Sequence, residues 1–276
     1  MNYRLIAVIA GREFSDACRN RWVIMLAVMF GLLALGLSLL GVSGLGTLGI
    51  SGFGRTAASL LNMVLLLVPL MGLLIGAVSI ASEREQGSLL LLMAQPITAQ
   101  EILIGKFAGA CLALAVALGW GFGISALVIA KATGFEQLAA YLGLMGLALL
   151  LGMCHVALGL WVSAMARRVG AALGAALIIW LCVICLGDLG VMGTSIMLRL
   201  SPGELLWASL GNPGQVFRLA ALQTLHGNLE QLGSSGSYAS NLLGPWLIPA
   251  LIGLLFAWIA LPLAIALVLF RRRGAL

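Results

Sequence analysis

The fold of this chain is decided by a short charged stretch between two long apolar runs, residues 81–106, which reads ASEREQGSLLLLMAQPITAQEILIGK. Only 9% of the 276 residues are charged, yet this stretch is crowded with charged side chains. Burying an unpaired charge in hydrocarbon costs several kcal/mol, so we expect the stretch to lie in water or against another protein. Its charged residues are Glu83, Arg84, Glu85, Glu101 and Lys106.

Two breaks divide this stretch, which we call the 81–106 loop. Gln86-Gly87-Ser88 predicts a turn followed by a helix N-cap at Ser88. Gln95-Pro96 ends the apolar run between them, because the residue before a proline avoids the helical region. The pattern therefore predicts a short amphipathic element held between two membrane helices.

The composition defines the class of protein. Hydrophobic residues make up 62% of the chain and the mean hydropathy is +1.14. Several apolar runs reach the roughly 18–25 residues that a helix needs to cross about 30 Å of hydrocarbon. We therefore expect an all-α polytopic membrane protein. The net charge of +6 belongs to basic residues at the ends of these runs, so the expected partner is membrane lipid and not nucleic acid.

Four regions follow from the hydropathy pattern. Residues 1–21 form an amphipathic elbow helix, 22–192 hold five spans and the 81–106 loop, 193–244 form an outer helical loop, and 245–276 hold a sixth span and a basic tail. The six predicted spans are residues 22–42, 57–80, 107–130, 138–166, 171–192 and 245–270.

The elbow helix is predicted from the spacing of apolar residues. Between residues 2 and 19 they recur at three- and four-residue steps, with charged residues over much of the remaining surface. We expect this helix to lie flat in the membrane interface, with an ordinary charged lead-in as the alternative. The apolar face consists of Tyr3, Ile6, Ala10, Phe14 and Ala17.

The orientation follows from the basic residues. If the N-terminus is cytoplasmic, four of the fifteen Lys and Arg residues lie outside, namely Arg55, Lys131, Arg199 and Arg218. The others lie on the cytoplasmic side, which is a strong positive-inside bias. Both termini and the 81–106 loop are therefore predicted to be cytoplasmic.

The outer loop carries two helix signals. Ser201-Pro202-Gly203-Glu204 has capping-box spacing with proline at the first helical position, and Asn212-Pro213 begins a second helix over residues 216–225. Residues 233–240 form a flexible link. These elements predict a small external cap that serves as a docking surface.

Three further features have competing interpretations. His155 lies deep in the fourth span and is either a packed histidine or a pore-lining one. Cys182 and Cys185 share a helix face and are weak metal candidates, since cysteine is also an ordinary small apolar residue in such helices. The GxxxG pairs are no more frequent than chance predicts, so they indicate close helix packing but no particular dimer interface.

Gly105-Lys106 lacks the GxxxxGK[ST] pattern, so we expect no nucleotide hydrolysis by that route.

The 81–106 loop and the elbow helix resemble those of ABC-2 type permeases. In the loop the similar residues are Glu83-Arg84-Glu85-Gln86-Gly87-Ser88, Pro96-Ile97 and Gly105-Lys106, and in the elbow, less specifically, Arg12-Glu13, Asp16 and Arg19-Asn20-Arg21-Trp22. The resemblance implies a homodimer in the inner membrane of a bacterium, driven by two copies of a cytoplasmic ABC ATPase, which alone would bind ATP and Mg. It assigns coupling to the ATPase to Glu83, Arg84, Glu85, Gly87, Ser88, Pro96 and Lys106.

Within the family, the chain length and residues 212–220 are most similar to permeases that serve nitrous oxide reductase. That similarity implies maturation of the copper–sulfur centre of the reductase and a periplasmic β-helical partner on the outer cap. The expected docking residues are Asn212, Pro213, Phe217 and Arg218. The alternatives are an exporter of another substrate, a secondary transporter working without an ATPase, and a structural anchor for an external protein.

Overall fold

The structure, a computed structural model, describes residues 2–48, 52–89, 97–133, 138–185, 187, 202–226, 242 and 244–273. Over these ranges the secondary structure is helical and contains no strand, as the sequence predicts. The helices are α1 Tyr3–Arg19, α2 Arg21–Leu48, α3 Gly52–Glu85, α4 Ala99–Thr133, α5 Leu138–Met165, α6 Val169–Cys185, α7 Pro202–Leu210, α8 Pro213–His226 and α9 Leu247–Arg273, the last preceded by a 3-10 turn, Gly244–Trp246.

Five of these helices are long and apolar enough to cross a membrane, namely α2, α3, α4, α5 and α9. They coincide with five of the six predicted spans. The other, residues 171–192, corresponds to α6, which is apolar but has 17 described residues. At about 1.5 Å per residue it spans roughly 25 Å. Residues 188–192 lie outside the described ranges, so the fifth predicted span, residues 171–192, stays a prediction.

Helices α3 and α5 form the centre of the bundle, and glycines set their separation. A Cβ atom on Gly72 would lie 2.6 Å from the carbonyl oxygen of Gly152, and one on Gly159 would lie 2.6 Å from that of Leu73. Real Cβ contacts are longer, so only glycine allows the two backbones to approach this closely. The Gly72/Gly76 pair therefore has a packing role, as close helix packing predicts.

Helix α1 packs along α4, where Gly105 lies against Ile9 and Gly109 against Ala10. The buried residues of α1 are Ala10, Glu13 and Ala17. Of the predicted apolar face, Ala10 and Ala17 are buried within the chain and Tyr3 is 81% exposed. The expectation that the charged residues of α1 cover the remaining surface is wrong for Glu13, which is buried with the alanines because Lys106 of α4 pairs with it.

Helices α7 and α8 begin at Pro202 and Pro213, as their sequence signals predict. Helix α8 is not surrounded by solvent, because it packs against α3, α5 and α9. Its residues Val216, Phe217 and Ala220 have no exposed surface. Residues 227–241, which include the predicted flexible link, lie outside the described ranges.

Candidate functional site at the 81–106 loop

Helix α3 ends within the 81–106 loop, just before Gly87. Gly87 has φ = 75°, a left-handed conformation that glycine adopts without strain. The amide of Gln86 donates to the carbonyl of Ser82 at 3.0 Å, and that of Gly87 donates to the carbonyl of Arg84 at 3.2 Å. This is the usual way a glycine terminates a helix, and it confirms the predicted turn.

The predicted N-cap and proline stop are only partly visible. The hydroxyl of Ser88 donates to the carbonyl oxygen of Glu83 at 3.3 Å, so it helps to satisfy the last turn of α3. The amides that it would cap, and the predicted stop at Pro96, fall within residues 90–96 and lie outside the described ranges.

A buried lysine joins three helices at the base of the loop. The side chain of Lys106, on α4, is 1% exposed. Its Nζ lies 2.7 Å from Oε2 of Glu13 on α1 and 3.1 Å from Oε1 of Glu83 on α3. It also donates to the carbonyl of Ser79 at 3.2 Å. The expectation that these charges meet water or another protein is therefore wrong for Lys106 and Glu83, because each has an opposite charge within the chain.

More exposed charges continue this cluster towards the surface. Arg12 lies 3.8 Å from Oε1 of Glu83 and 3.7 Å from Oδ2 of Asp16. The side chains of Arg12 and Asp16 are 58% and 63% exposed, so water screens their interaction. We define the buried ion cluster as Glu13, Glu83 and Lys106. The cluster has two carboxylates and one cation, so the charge of Lys106 is what allows Glu13 and Glu83 to lie close together.

A capping box begins α4. The Thr98 hydroxyl donates to Oε2 of Glu101 at 2.8 Å and accepts from the amide of Glu101 at 3.4 Å, while the amide of Thr98 donates to the same carboxylate at 3.0 Å. The other oxygen of Glu101 accepts from the amide of Asn2 at 2.7 Å. Glu101 is 5% exposed, so its predicted exposure to water is also wrong. The spacing T-x-x-E is visible in the sequence, but our sequence analysis missed it.

Two further loop residues bind the connection between α5 and α6. Nη1 of Arg84 donates to the carbonyl oxygens of Ala164, at 3.2 Å, and Ala166. Oε2 of Glu85 accepts from the amide of Val169, the first residue of α6, at 2.8 Å. Arg84 therefore satisfies the C-terminal end of α5, and Glu85 satisfies the N-terminal end of α6.

Ser163 is a second residue that the sequence analysis did not single out. Its hydroxyl oxygen accepts from the amides of Ile80 and Ala81 at 3.0 and 2.8 Å. A lone serine near the end of an apolar span gives no sequence signal for such a contact. Ser163 and Arg84 together join the last turns of α3 to the end of α5 by hydrogen bonds.

His155 lies away from this junction, in the middle of α5. It has no exposed surface, its Nδ1 lies 2.8 Å from the carbonyl oxygen of Leu151, and its Cβ lies next to Gly72. These contacts favour the packed interpretation over a pore-lining one. Cys182 and Cys185 are both exposed on α6. In the described part of the chain, no three His, Cys, Asp or Glu residues are grouped so as to hold a metal.

The predicted docking residues of the outer loop lie where α8 meets α6. Nδ2 of Asn212 donates to the carbonyl of Val183 at 2.7 Å, and its Oδ1 accepts from the amide of Gly214 at 2.8 Å. Arg218 lines a cavity of about 340 Å³ between α3, α6 and α8. Pro213 and Phe217 are buried. Of the four, Asn212 and Arg218 therefore have the more accessible side chains.

Comparison with known proteins agrees with this arrangement of helices and loop. Residues 7–275 match the ABC-2 family transporter protein family, and the chain belongs to that family. It is thus the membrane-spanning permease subunit of an ABC transporter, which implies a separate ATPase partner and a multi-pass protein of the inner membrane.

Two relatives make the comparison more specific, and both are described as the probable ABC transporter permease protein NosY. The chain is 35% identical to the Pseudomonas aeruginosa protein over 279 residues, which cover 98% of each chain. It is 34% identical to the Stutzerimonas stutzeri protein over 275 residues, which cover 96% of this chain and 97% of the relative. Both relatives are named as transport components.

Proposed function

We propose that this chain is the permease of a transporter that serves assembly of the copper–sulfur centre of nitrous oxide reductase. The observation that carries the proposal is the end-to-end similarity to two NosY permeases. Its role is to couple ATP hydrolysis by a partner to transport, or to mechanical work on a protein outside the membrane.

In the proposed assembly, two permeases form a homodimer with both termini in the cytoplasm. Each has six spans, with α1 as an interfacial elbow and α7 and α8 in a small periplasmic cap. Two copies of a NosF-like ATPase bind on the cytoplasmic side and carry ATP and Mg. A NosD-like β-helical protein docks on the outer side through the cap, at Asn212 and Arg218, with the buried Pro213 and Phe217 holding α8 in place.

The 81–106 loop is the proposed contact for the ATPase. Its described part is the exposed turn at Gly87 with Ser88 beside it, and Pro96, outside the described ranges, is assigned to the contact from the sequence alone. Glu83 and Lys106 act behind this surface, because the buried ion cluster joins the two ends of the loop to α1. A displacement of the loop therefore moves the adjacent ends of α1, α3 and α4 together.

Substitution of Gly87 in the complete transporter tests this proposal. Valine strongly disfavours the φ of 75° at this position, whereas asparagine tolerates it. We expect Gly87→Val to reduce loop-dependent ATP hydrolysis and reductase maturation at least tenfold, and Gly87→Asn to retain most of both. The measurements are ATP turnover of the purified complex and copper content of reductase from the same cells. Full maturation without the ATPase, or in the valine variant, would exclude the proposed coupling.

A further inference from the structure

The connection between α5 and α6 is fixed to the end of α3 by side chains that follow each other in sequence. Arg84 donates to two carbonyls at the end of α5, and Glu85 accepts from the first amide of α6. The first amides of a helix have no partner within it. The Glu85 carboxylate accepts from the first amide of α6, so the start of α6 is hydrogen-bonded to a side chain of α3.

Helix α6 has a second polar attachment, near its other end. Nε1 of Trp180 donates to the carbonyl of Leu66 on α3 at 3.0 Å, and Asn212, which directly precedes α8, donates to the carbonyl of Val183. Between these attachments α6 meets α3 through a small apolar cluster that includes Ala172 and Ala176. The polar attachments therefore link α6 to α3 and to α8 near both of its ends.

The outer end of α6 also forms one wall of the 340 Å³ cavity. Val183 and Ile184 face α3 residues Asn62 and Pro69 across it, and α8 closes the third side. A shift of α6 relative to α3 would therefore change the width of this cavity. Helix α6 thus extends from the 81–106 loop to the outer cavity.

We propose that Arg84 and Glu85 are positioning residues that make α6 follow the 81–106 loop, so that a displacement of the loop changes the outer cavity. The inference rests on the proposed function, since it needs the ATPase to move the loop. It gives Glu85 a task within the chain, since its Oε2 accepts from the amide of Val169, in addition to any contact of its exposed side chain with the ATPase.

Two variants remove the Glu85–Val169 hydrogen bond from opposite sides, and a third is the control. Glu85→Ala removes the acceptor, whereas the control Glu85→Gln keeps an uncharged acceptor at the same position. Val169→Pro removes the donor and leaves Glu85 intact. The carbonyl of Arg168 accepts the first bond within α6, from Ala172, so Val169 occupies the first helical position, where proline is well tolerated.

The experiment follows α6 with a spin label on Cys182, which is exposed. The reference background carries Cys18→Ser and Cys185→Ser, because those two cysteines are also exposed, and it keeps Cys111 and Cys154, which are buried. The complete transporter is measured with and without ATP, and recovery of the ATPase with the permease is measured in the same samples. We expect ATP to change label mobility in this background. Glu85→Ala and Val169→Pro should reduce the change at least threefold, Glu85→Gln should retain more than half of it, and Val169→Pro should recover the ATPase normally.

Three results would overturn the inference while leaving the proposed function in place. They are no ATP-dependent change at Cys182 in the reference background, an unaltered change in Glu85→Ala and Val169→Pro, and equal loss of the ATPase in Glu85→Ala and Glu85→Gln with no effect of Val169→Pro. The last would show that Glu85 acts through its charge on the partner. If no ATPase is recovered with the reference permease, the proposed function itself fails.

Discussion

Helix α3 is held in two different ways along its length. In its middle, Gly72 and Gly76 lie against backbone atoms of α5, with the Cβ of His155 beside Gly72. At its end, near the 81–106 loop, the contacts are made by the long side chains of Glu83, Arg84 and Glu85.

The two kinds of contact differ in how they respond to movement. Backbones in direct contact can shift little without a clash, because packed interiors have few voids. Hydrogen bonds and ion pairs made by long side chains tolerate small displacements while still linking the helices that they join. We therefore expect the middle of α3 to resist displacement more than its loop end, where the proposed function places the contact with the ATPase.

The largest effect is expected from the buried ion cluster. Lys106→Met would leave Glu13 buried without a cation and Glu83 with only the more exposed Arg12 at 3.8 Å, and breaking a buried ion pair costs about 3–5 kcal/mol. We expect the free energy of unfolding, measured by denaturant titration in detergent micelles, to fall by about that amount. Adding Glu13→Gln and Glu83→Gln should restore most of it, since no uncompensated charge then remains. A loss under about 1 kcal/mol in Lys106→Met would show that water already reaches the carboxylates.

A smaller effect is expected in the glycine contact. Gly159→Ala places a methyl group 2.6 Å from the carbonyl oxygen of Leu73 and 2.9 Å from the amide nitrogen of Ala77. Overpacking of this kind costs about 1–3 kcal/mol, read as a lower free energy of unfolding in the same titration. The matched control is Gly146→Ala on the same helix, where no atom lies within 4 Å of the added Cβ. Equal stability of the two variants would mean that α3 and α5 can move apart.

The contrast also explains which parts of the fold the sequence could predict. Five of the six predicted spans, the turn at Gly87 and the helix starts at Pro202 and Pro213 depend on local rules, and the structure has helices or a turn at each of these places. The environment of Glu13 depends on Lys106, which is 93 positions away. Helical periodicity assigned Glu13 to the polar face because the rule treats every carboxylate as solvated, and only tertiary contact shows that it is paired.

The candidate site was predicted in its location but not in its chemistry. A cluster of charges in an apolar chain identified the 81–106 loop, yet charge alone could not separate Glu83, which faces inward, from Glu85, which caps α6. That distinction depends on the angle at which α3 ends, set by its packing on α5. The partner of Arg84 is a pair of backbone carbonyls, and backbone groups have no sequence signal.

The smallest effect is expected at the capping box of α4, and it tests whether burial explains the size of the others. Thr98→Val removes the hydroxyl that bonds Glu101, and loss of such a cap costs about 0.5–2 kcal/mol, whereas Thr98→Ser keeps the bond. Thr98 is exposed, so water can take the place of the missing partner, which cannot happen at Lys106. Measured in the same titration, the loss in Thr98→Val should be well below that in Lys106→Met. If Thr98→Val and Lys106→Met lost the same free energy of unfolding, burial would not explain the size of the loss at either site. The number of hydrogen bonds broken would then have to explain both losses.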